Sequence, residues 1–322
     1  VRGFSGEWLH RATRYNLFGS ATQVTRPAVN SPSGWYTVYH YDALGRVTMV
    51  VRPDNTMTEI VHSMFGSYAL DAEGHDALAV RDIDDRLILS VDYVGADPIP
   101  TTYRYGPFGQ VEEIEDAEGN LTVIGYDKLG RRTSFQDPDR GQTLVDYNGF
   151  GEVVSETDAL GLTTYLRDAV GRVYQQIEGN DLTSFVYDAG PNALGKLVEA
   201  TSPDGTVTSH AYDSAGRPTD TTWTIAGIPY RVTATYDELG RLDRLLYPDA
   251  PGNLFTVEQR YNAAGYLEAV WNVSSPKAPH PVWTVTQRNA DLALEEVELG
   301  NGSTSMVAHD LLGRVSDVTV VG

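Results

Sequence analysis

The stretch Tyr126-Asp-Lys-Leu-Gly-Arg131 decides the fold, because its pattern returns from one end of the chain to the other. Its best copies share a tyrosine, an aspartate, a glycine and an arginine at fixed positions. These copies are Tyr41, Asp42, Gly45 and Arg46; Tyr126, Asp127, Gly130 and Arg131; Tyr212, Asp213, Gly216 and Arg217; and Tyr236, Asp237, Gly240 and Arg241. From Gly109 to Gly265 the turn glycines recur every 20 to 25 residues. A fixed period of this length predicts an array of similar units.

One unit reads as two strands joined by a tight turn. Between residues 142 and 157, two runs rich in β-branched residues flank Asn148-Gly-Phe-Gly151. The Asp or Asn that opens such a turn can accept a backbone hydrogen bond, and the glycine can take a positive φ. A second turn follows each hairpin, as in Asp158-Ala-Leu-Gly161. The sequence therefore predicts tandem β-hairpins.

The recurrence of the tyrosine and the arginine in the pattern has a physical explanation. Because side chains alternate along a strand, the tyrosine lies at the strand end, where its ring can cover the neighbouring hairpin and its hydroxyl can reach a backbone partner. The arginine can pair with the turn aspartate of its own or the next unit, or stack on a tyrosine ring. We interpret these residues as packing between repeats; the alternative is a ladder that binds a ligand.

These residues resemble the YD-repeat, or RHS-repeat, family, and the resemblance covers the chain from about Tyr15 to Val320. The family includes bacterial toxin-complex proteins, RHS polymorphic toxins, wall-associated bacterial proteins and animal teneurins. The resemblance implies a continuous antiparallel sheet of hairpins that curves and spirals as part of a hollow shell. In RHS relatives a self-cleaving aspartate core with an Asp-Pro-x-x-Gly stretch follows the shell. Here Asp137-Pro-Asp-Arg-Gly141 matches only an ordinary turn between hairpins.

Composition agrees with an all-β protein, since 31 glycines, 16 prolines and 19 tyrosines suit many short strands and turns. We expect residues 1–322 to form a single repeat array that is a segment of a longer protein. The formal charge of −20 disfavours nucleic acid as a partner. No apolar run is long enough to span a bilayer, and no signal peptide is recognised. The absence of cysteine favours a bacterial source. The family resemblance implies a secreted or cell-surface location.

The sequence indicates no catalytic residue, cofactor or metal, and so no enzyme. It contains no Gly-x-Ser-x-Gly, His-Glu-x-x-His or phosphate-binding glycine-rich motif. Asp82, Asp84 and Asp85 could resemble a calcium loop, but the glycine and the terminal glutamate of an EF-hand are missing. A glycosidase would need two paired carboxylates in a cleft, and nearly all acids here occupy turn positions.

The family resemblance implies a structural function. It leads us to expect that this chain forms part of the wall of a hollow β-shell that encloses a cargo or toxin polypeptide, with that cargo or further repeats as its partners. The alternative is a cell-surface or extracellular module that binds carbohydrate or protein. It would use Trp271 and Trp283, which flank a proline-containing segment and could offer a flat aromatic face to a sugar ring.

Overall fold

The computed structural model describes residues 2–248 and 255–322, and all regular structure within these ranges is β-strand. The predicted all-β class is confirmed. The chain divides into two compact units. Unit 1 comprises Val1–Ile60 and Arg231–Gly322, and unit 2 comprises Val61–Tyr230. The prediction of one uninterrupted array stays a prediction. The described residues contain no helix that is long and apolar enough to cross a membrane.

The first ten strands are β1 Leu9–His10, β2 Thr13–Tyr15, β3 Ala21–Thr25, β4 Ala28–Val29, β5 Tyr36–Tyr41, β6 Val47–Val51, β7 Met57–His62, β8 Gly66–Leu70, β9 Asp76–Arg81 and β10 Leu87–Val94. The next ten are β11 Asp97–Tyr105, β12 Val111–Glu115, β13 Leu121–Tyr126, β14 Arg132–Asp137, β15 Gly141–Tyr147, β16 Val153–Asp158, β17 Gly161–Arg167, β18 Val173–Glu178, β19 Asp181–Tyr187 and β20 Leu197–Thr201. The last ten are β21 Val207–Tyr212, β22 Pro218–Ile225, β23 Ile228–Tyr236, β24 Leu242–Tyr247, β25 Phe255–Tyr261, β26 Leu267–Asn272, β27 His280–Arg288, β28 Leu294–Leu299, β29 Thr304–His309 and β30 Val315–Val321.

The strands pair antiparallel in chain order, as tandem hairpins require. In unit 2, each strand from β8 to β22 pairs with the next. Unit 1 contains the series from β23 to β30 and the series β2, β3, β5, β6 and β7. In unit 1, β1 pairs with β4 as a separate ribbon.

The hairpins that close at a repeat tyrosine and turn glycine have a β-bulge beside the turn. Gly125 pairs with Ser134, but the following Tyr126 pairs with Arg132, so one residue of the second strand is left over. The same one-residue shift follows the tyrosine positions 41, 105, 147, 187 and 212. A type I turn that ends in a positive-φ glycine produces this bulge. The turn residues therefore set the register of these hairpins.

Burial alternates along the strands, and the core is thin. In β15, Thr143, Val145 and Tyr147 are more buried than Leu144 and Asp146, as the alternation of side chains predicts. Val145 is 4% exposed. Among the described residues, the buried hydrophobic side chains number eight and none is fully buried. So small a core is typical of a single sheet layer, which leaves stability to contacts along the sheet.

Candidate functional site

The turn of each complete repeat is closed by its aspartate. Oδ1 of Asp127 accepts hydrogen bonds from the backbone N–H groups of Leu129 and Arg131, at 2.8 and 2.9 Å. Its Oδ2 accepts from Nε of Arg131 at 2.6 Å, and Gly130 has a φ of 78°. The backbone N–H of Arg131, followed by its guanidinium, lowers the pKa of Asp127 despite some desolvation. The carboxylate is therefore held ionised as the turn's cap.

The other three complete copies have the same geometry. Gly45, Gly216 and Gly240 have φ values between 77 and 80°. The corresponding bonds to the turn carboxylate come from the backbone and Nε of Arg46 to Asp42, of Arg217 to Asp213 and of Arg241 to Asp237. The tyrosines Tyr41, Tyr212 and Tyr236 end β5, β21 and β23.

Several residues at the arginine position also reach the next repeat. The guanidinium carbon of Arg131 lies 4.5 Å from the ring centroid of Tyr147, while Nη1 donates to the carbonyl of Asn148 at 3.4 Å. The two interactions that the sequence suggested for this arginine therefore occur together. Cation–π contacts of this kind join residue 86 to 105, 172 to 187, 196 to 212 and 241 to 261, at 4.1 to 5.2 Å.

The tyrosine hydroxyl provides the return contact. Tyr147 Oη donates to the carbonyl of Arg132, two residues after the turn glycine of the preceding repeat. The equivalent bonds, between 2.6 and 3.0 Å, join Tyr41 to Ala21, Tyr105 to Leu87, Tyr126 to Val111, Tyr187 to Val173, Tyr212 to Leu197 and Tyr261 to Leu242. We call this series of arginine and tyrosine contacts the ladder. It explains why the two residue types recur together.

Some ladder positions depart from the pattern. Arg167 stands at a tyrosine position, and its guanidinium donates to the same kind of carbonyl, that of Val153, at 3.0 Å. Glu152 stands at the preceding arginine position, where its carboxylate accepts from Nδ2 of Asn148 at 2.6 Å. Ala293 occupies another arginine position and is too short to reach the next repeat.

Residues near the amino end of unit 1 cover one of its turns. Nδ2 of Asn262 donates to the carbonyl of Phe4 at 2.6 Å, and Oη of Tyr266 donates to the carbonyl of Arg2 at 2.6 Å. The Phe4 ring is 7% exposed. It lies 6.2 Å from the Tyr266 ring and 5.5 Å from the guanidinium of Arg288. Tyr266 stands where the repeat pattern has an arginine, and Arg288 stands where it has a tyrosine. Phe4 therefore lies between two ladder positions whose residue types are interchanged.

Arg26 replaces a missing ladder arginine from a distant part of the sequence. Its Nη1 donates to the carbonyl of Asp310 at 3.3 Å and to that of Leu311 at 2.6 Å. Its Nη2 forms an ion pair with Asp291. The bond to Asp310 matches the bond from Arg131 to the turn residue Asn148. Sequence reasoning missed both Arg26 and Phe4, and the signal that could have located them is the loss of the pattern at residues 266 and 293.

The acidic sites considered for metal differ from each other. Asp82 and Asp84 are both paired with Nη2 of Arg86, at 2.6 and 3.1 Å, so this loop resembles an ordinary repeat turn. In the turn at residues 71–75, ligand atoms of Asp71, Glu73 and His75 lie within 4.8 Å of one another and could hold a metal ion. This grouping was not recognised in the sequence. Its signal was the alternation Asp-x-Glu-x-His.

His75 occupies the arginine position of its turn. Its Nδ1 lies 3.0 Å from Oδ2 of Asp71. The hydrogen bond to Asp71 raises the pKa of His75, while the backbone N–H of His75 and then its side chain lower the pKa of Asp71. The turn therefore keeps the usual ion pair only while the imidazole is protonated.

The two tryptophans predicted to form an aromatic platform lie at different positions of the sheet and have different cross-strand neighbours. Trp271 lies opposite Glu258 and Pro281, whereas Trp283 lies opposite Val270 and Leu299. Both side chains are half-buried. The guanidinium carbon of Arg260 lies 3.8 Å from the Trp271 ring centroid, and so covers one face of that ring. A role for either tryptophan in ligand binding stays a prediction.

Together the fold and the ladder define a protein of tandem β-hairpin repeats. The family model described as RHS Repeat matches residues 15–57 and 192–223. These two segments match RHS repeats, and the predicted resemblance to that family is confirmed. A curated relative, Double-stranded DNA deaminase toxin A of Burkholderia cenocepacia (strain H111), is 28% identical over 187 residues. That match covers 51% of this chain but only 12% of the relative.

Solved structures share the fold across nearly the whole chain. The crystal structure of TcdB2-TccC3-Cdc42 has a TM-score of 0.83 and 15% identity, covering 96% of this chain and 18% of that one. The structure of a Photorhabdus luminescens Tc holotoxin pore with the mutation TccC3-D651A has a TM-score of 0.82 and 15% identity, with the same coverage of 96% and 18%. At this identity the likeness concerns the fold. The chain spans less than a fifth of each of these matched chains.

Proposed function

We propose that this chain is a wall segment of a larger RHS-repeat shell that encloses a cargo or toxin polypeptide and is itself not an enzyme. The observation that carries the proposal is the covering of repeat turns in unit 1 by residues 2–26. Arg26 and Phe4 contact turns more than 250 residues away in sequence. We call a series of strands paired in chain order, such as β2, β3, β5, β6 and β7 or β23 to β30, a strip of the sheet. A sheet whose strips contact each other through specific hydrogen bonds and ion pairs suits a barrier better than an isolated binding module.

The exposed surface of the last strand also supports a role within a larger assembly. All seven residues of β30 are exposed, including Val315, Val318 and Val320 at about 60% each. Apolar side chains on both faces of an exposed strand favour association with other polypeptide. Further repeats of the same protein would satisfy this surface, and the matched chains of toxin complexes are several times longer than this one.

Limited proteolysis of the native polypeptide from its source tests the proposal. We expect mass spectrometry to show a chain much longer than 322 residues, with an unrelated segment that resists protease until the repeats are unfolded. The matched control is the unrelated, protected segment expressed without the repeats, which the protease should cleave rapidly. A native chain that ends near these residues, or a segment cleaved as fast in the whole protein as alone, would exclude enclosure.

The alternative is a secreted or cell-surface module that binds glycan or protein. Trp271 and Trp283 would carry it, although one face of Trp271 is already covered by Arg260. A glycan array probed with the native protein and with its Trp283→Ala variant separates the two proposals. Binding that depends on Trp283, from a chain with no protected segment, would favour the module.

A further inference from the structure

A row of apolar side chains projects from one edge of unit 2. At five successive hairpin turns, the residue before the turn glycine, or its equivalent, is large, apolar and 75 to 93% exposed. These residues, here called the turn row, are Phe108, Leu129, Phe150, Val170 and Leu194. Successive turns on this edge are two strands apart, so the side chains recur about every 10 Å. Several large apolar side chains exposed along one edge are the kind of surface that a partner covers.

Unit 1 shows how a turn of this kind is covered. At the turn of residues 262–265, the residue before the glycine is Ala264, which is half-buried, and Asn262 of the same turn donates to the carbonyl of Phe4. At the turn of residues 310–313 it is Leu312, also half-buried, where Arg26 binds the turn carbonyls. Arg26 directly follows β3 of the repeat sheet, whereas Phe4 precedes β1 and lies outside that sheet.

Arg26 contacts the turn at a place where the ladder lacks an arginine of its own. Arg26 pairs with Asp291 beside Ala293, an arginine position without an arginine. A Cβ placed on the next turn glycine, Gly313, would lie 2.7 Å from Nη2 of Arg26. The same construction on Gly151 meets Nη1 of the ladder residue Arg131 at 3.7 Å. Arg26 therefore takes the place of a ladder arginine, supplied by a different strip.

Unit 2 contains an equivalent vacancy within the turn row. Glu152 stands at an arginine position, between the turns of Phe150 and Val170, and its side chain is half-buried. Within the described residues it has a hydrogen bond from Asn148 but no ion pair with Arg or Lys. Covering this carboxylate without a cation would be costly, whereas a guanidinium would compensate its charge.

We infer that the turn row, with Glu152 at its centre, is the docking edge for a further strip of RHS repeats. That strip lays apolar side chains against Phe150 and Val170 and pairs an arginine with Glu152. The inference rests on the proposed function, because it names the neighbour of this wall segment. It identifies the partner by the chemistry that Arg26 and Phe4 use on the covered turns of unit 1.

Hydroxyl-radical footprinting of the native polypeptide tests whether the row is covered. Leu160 is the internal control, since it is 85% exposed at a turn on the opposite edge of the sheet. After normalisation to the unfolded protein, we expect Leu129 and Phe150 to be oxidised several-fold more slowly than Leu160. Equal normalised rates would mean that the row is open in the native protein, and would overturn the inference.

Two further measurements identify what covers it. Glu152→Arg should restore the oxidation of Phe150 by repelling the incoming arginine, whereas Glu152→Gln should have a smaller effect. A photo-reactive benzophenone residue in place of Phe150 should cross-link to a repeat peptide that carries an arginine. No response to Glu152→Arg, or a cross-link to a second copy or to a polypeptide without repeats, would overturn the inference. The protease protection of a cargo segment is measured separately, so either idea can fail alone.

Discussion

Removing one contact of the ladder should show that it couples neighbouring hairpins. Arg131 lies 4.5 Å from the Tyr147 ring centroid, and 28% of its side chain is exposed. A cation–π pair stabilises by about 0.5–1 kcal/mol at an exposed site and about 2 kcal/mol when desolvated. For this half-buried pair we expect a coupling energy of about 1 kcal/mol between Arg131→Ala and Tyr147→Leu.

The coupling is measured as a double-mutant cycle by native-state hydrogen exchange. Because repeat arrays open locally, the free energy of opening is read from amides of β14 to β16 and not from one global transition. The matched control is the cycle of Gln110→Ala with Tyr126→Leu, where a neutral glutamine stands at the arginine position. A coupling below about 0.3 kcal/mol at the Arg131 pair, or one equal to the control, would refute the role of the ladder.

Three other substitutions test the turns. Gly130→Val should destabilise its hairpin by more than about 1 kcal/mol in urea melts, because a β-branched residue is strained at a φ of 78°, whereas Gly149→Val should be nearly neutral. The ion pair of His75 should stabilise its turn below the ordinary pKa of 6.5 and weaken as pH rises through the raised pKa, so the urea midpoint should fall over pH 5 to 8 in the native chain but not in His75→Arg. Arg26→Ala should make the segment before residue 36 more sensitive to protease, and adding Ala293→Arg should not restore its resistance, because an arginine at 293 satisfies the turn without holding that segment.

The sequence predicted the local structure well because the residues that determine the turn and the buried face recur in successive repeats. Asp127 and Gly130 specify the turn, and the alternation along β15 specifies which face is buried. The sequence could not predict which of its two partners Arg131 would choose, since either was within reach of the side chain. In the structure Arg131 contacts both partners, since its Nε donates to Asp127 and its guanidinium carbon lies over the Tyr147 ring.

Contacts between distant strips were beyond sequence reasoning for a different reason. Nothing near Arg26 in the sequence marks it as a ladder residue, because its partners Asp291 and Asp310 lie more than 260 residues away. Such pairs depend on the path of the whole sheet and not on the pattern within one repeat. Only the interrupted positions at the other end, such as Ala293, carry a local sign of the contact.

The positions where the repeat pattern is interrupted determine contacts between strips. Where the ladder is complete, as at Arg131 and Tyr147, a hairpin satisfies its neighbour in the same strip and needs no other partner at that position. Where an arginine is missing, the turn carbonyls and nearby acids are left for a cation from elsewhere, as Asp291 accepts Arg26. A position that lacks the ladder arginine can therefore become the site of a specific contact between strips. On this reasoning the irregular positions, and not the best copies of the motif, determine how strips of the sheet are matched to one another.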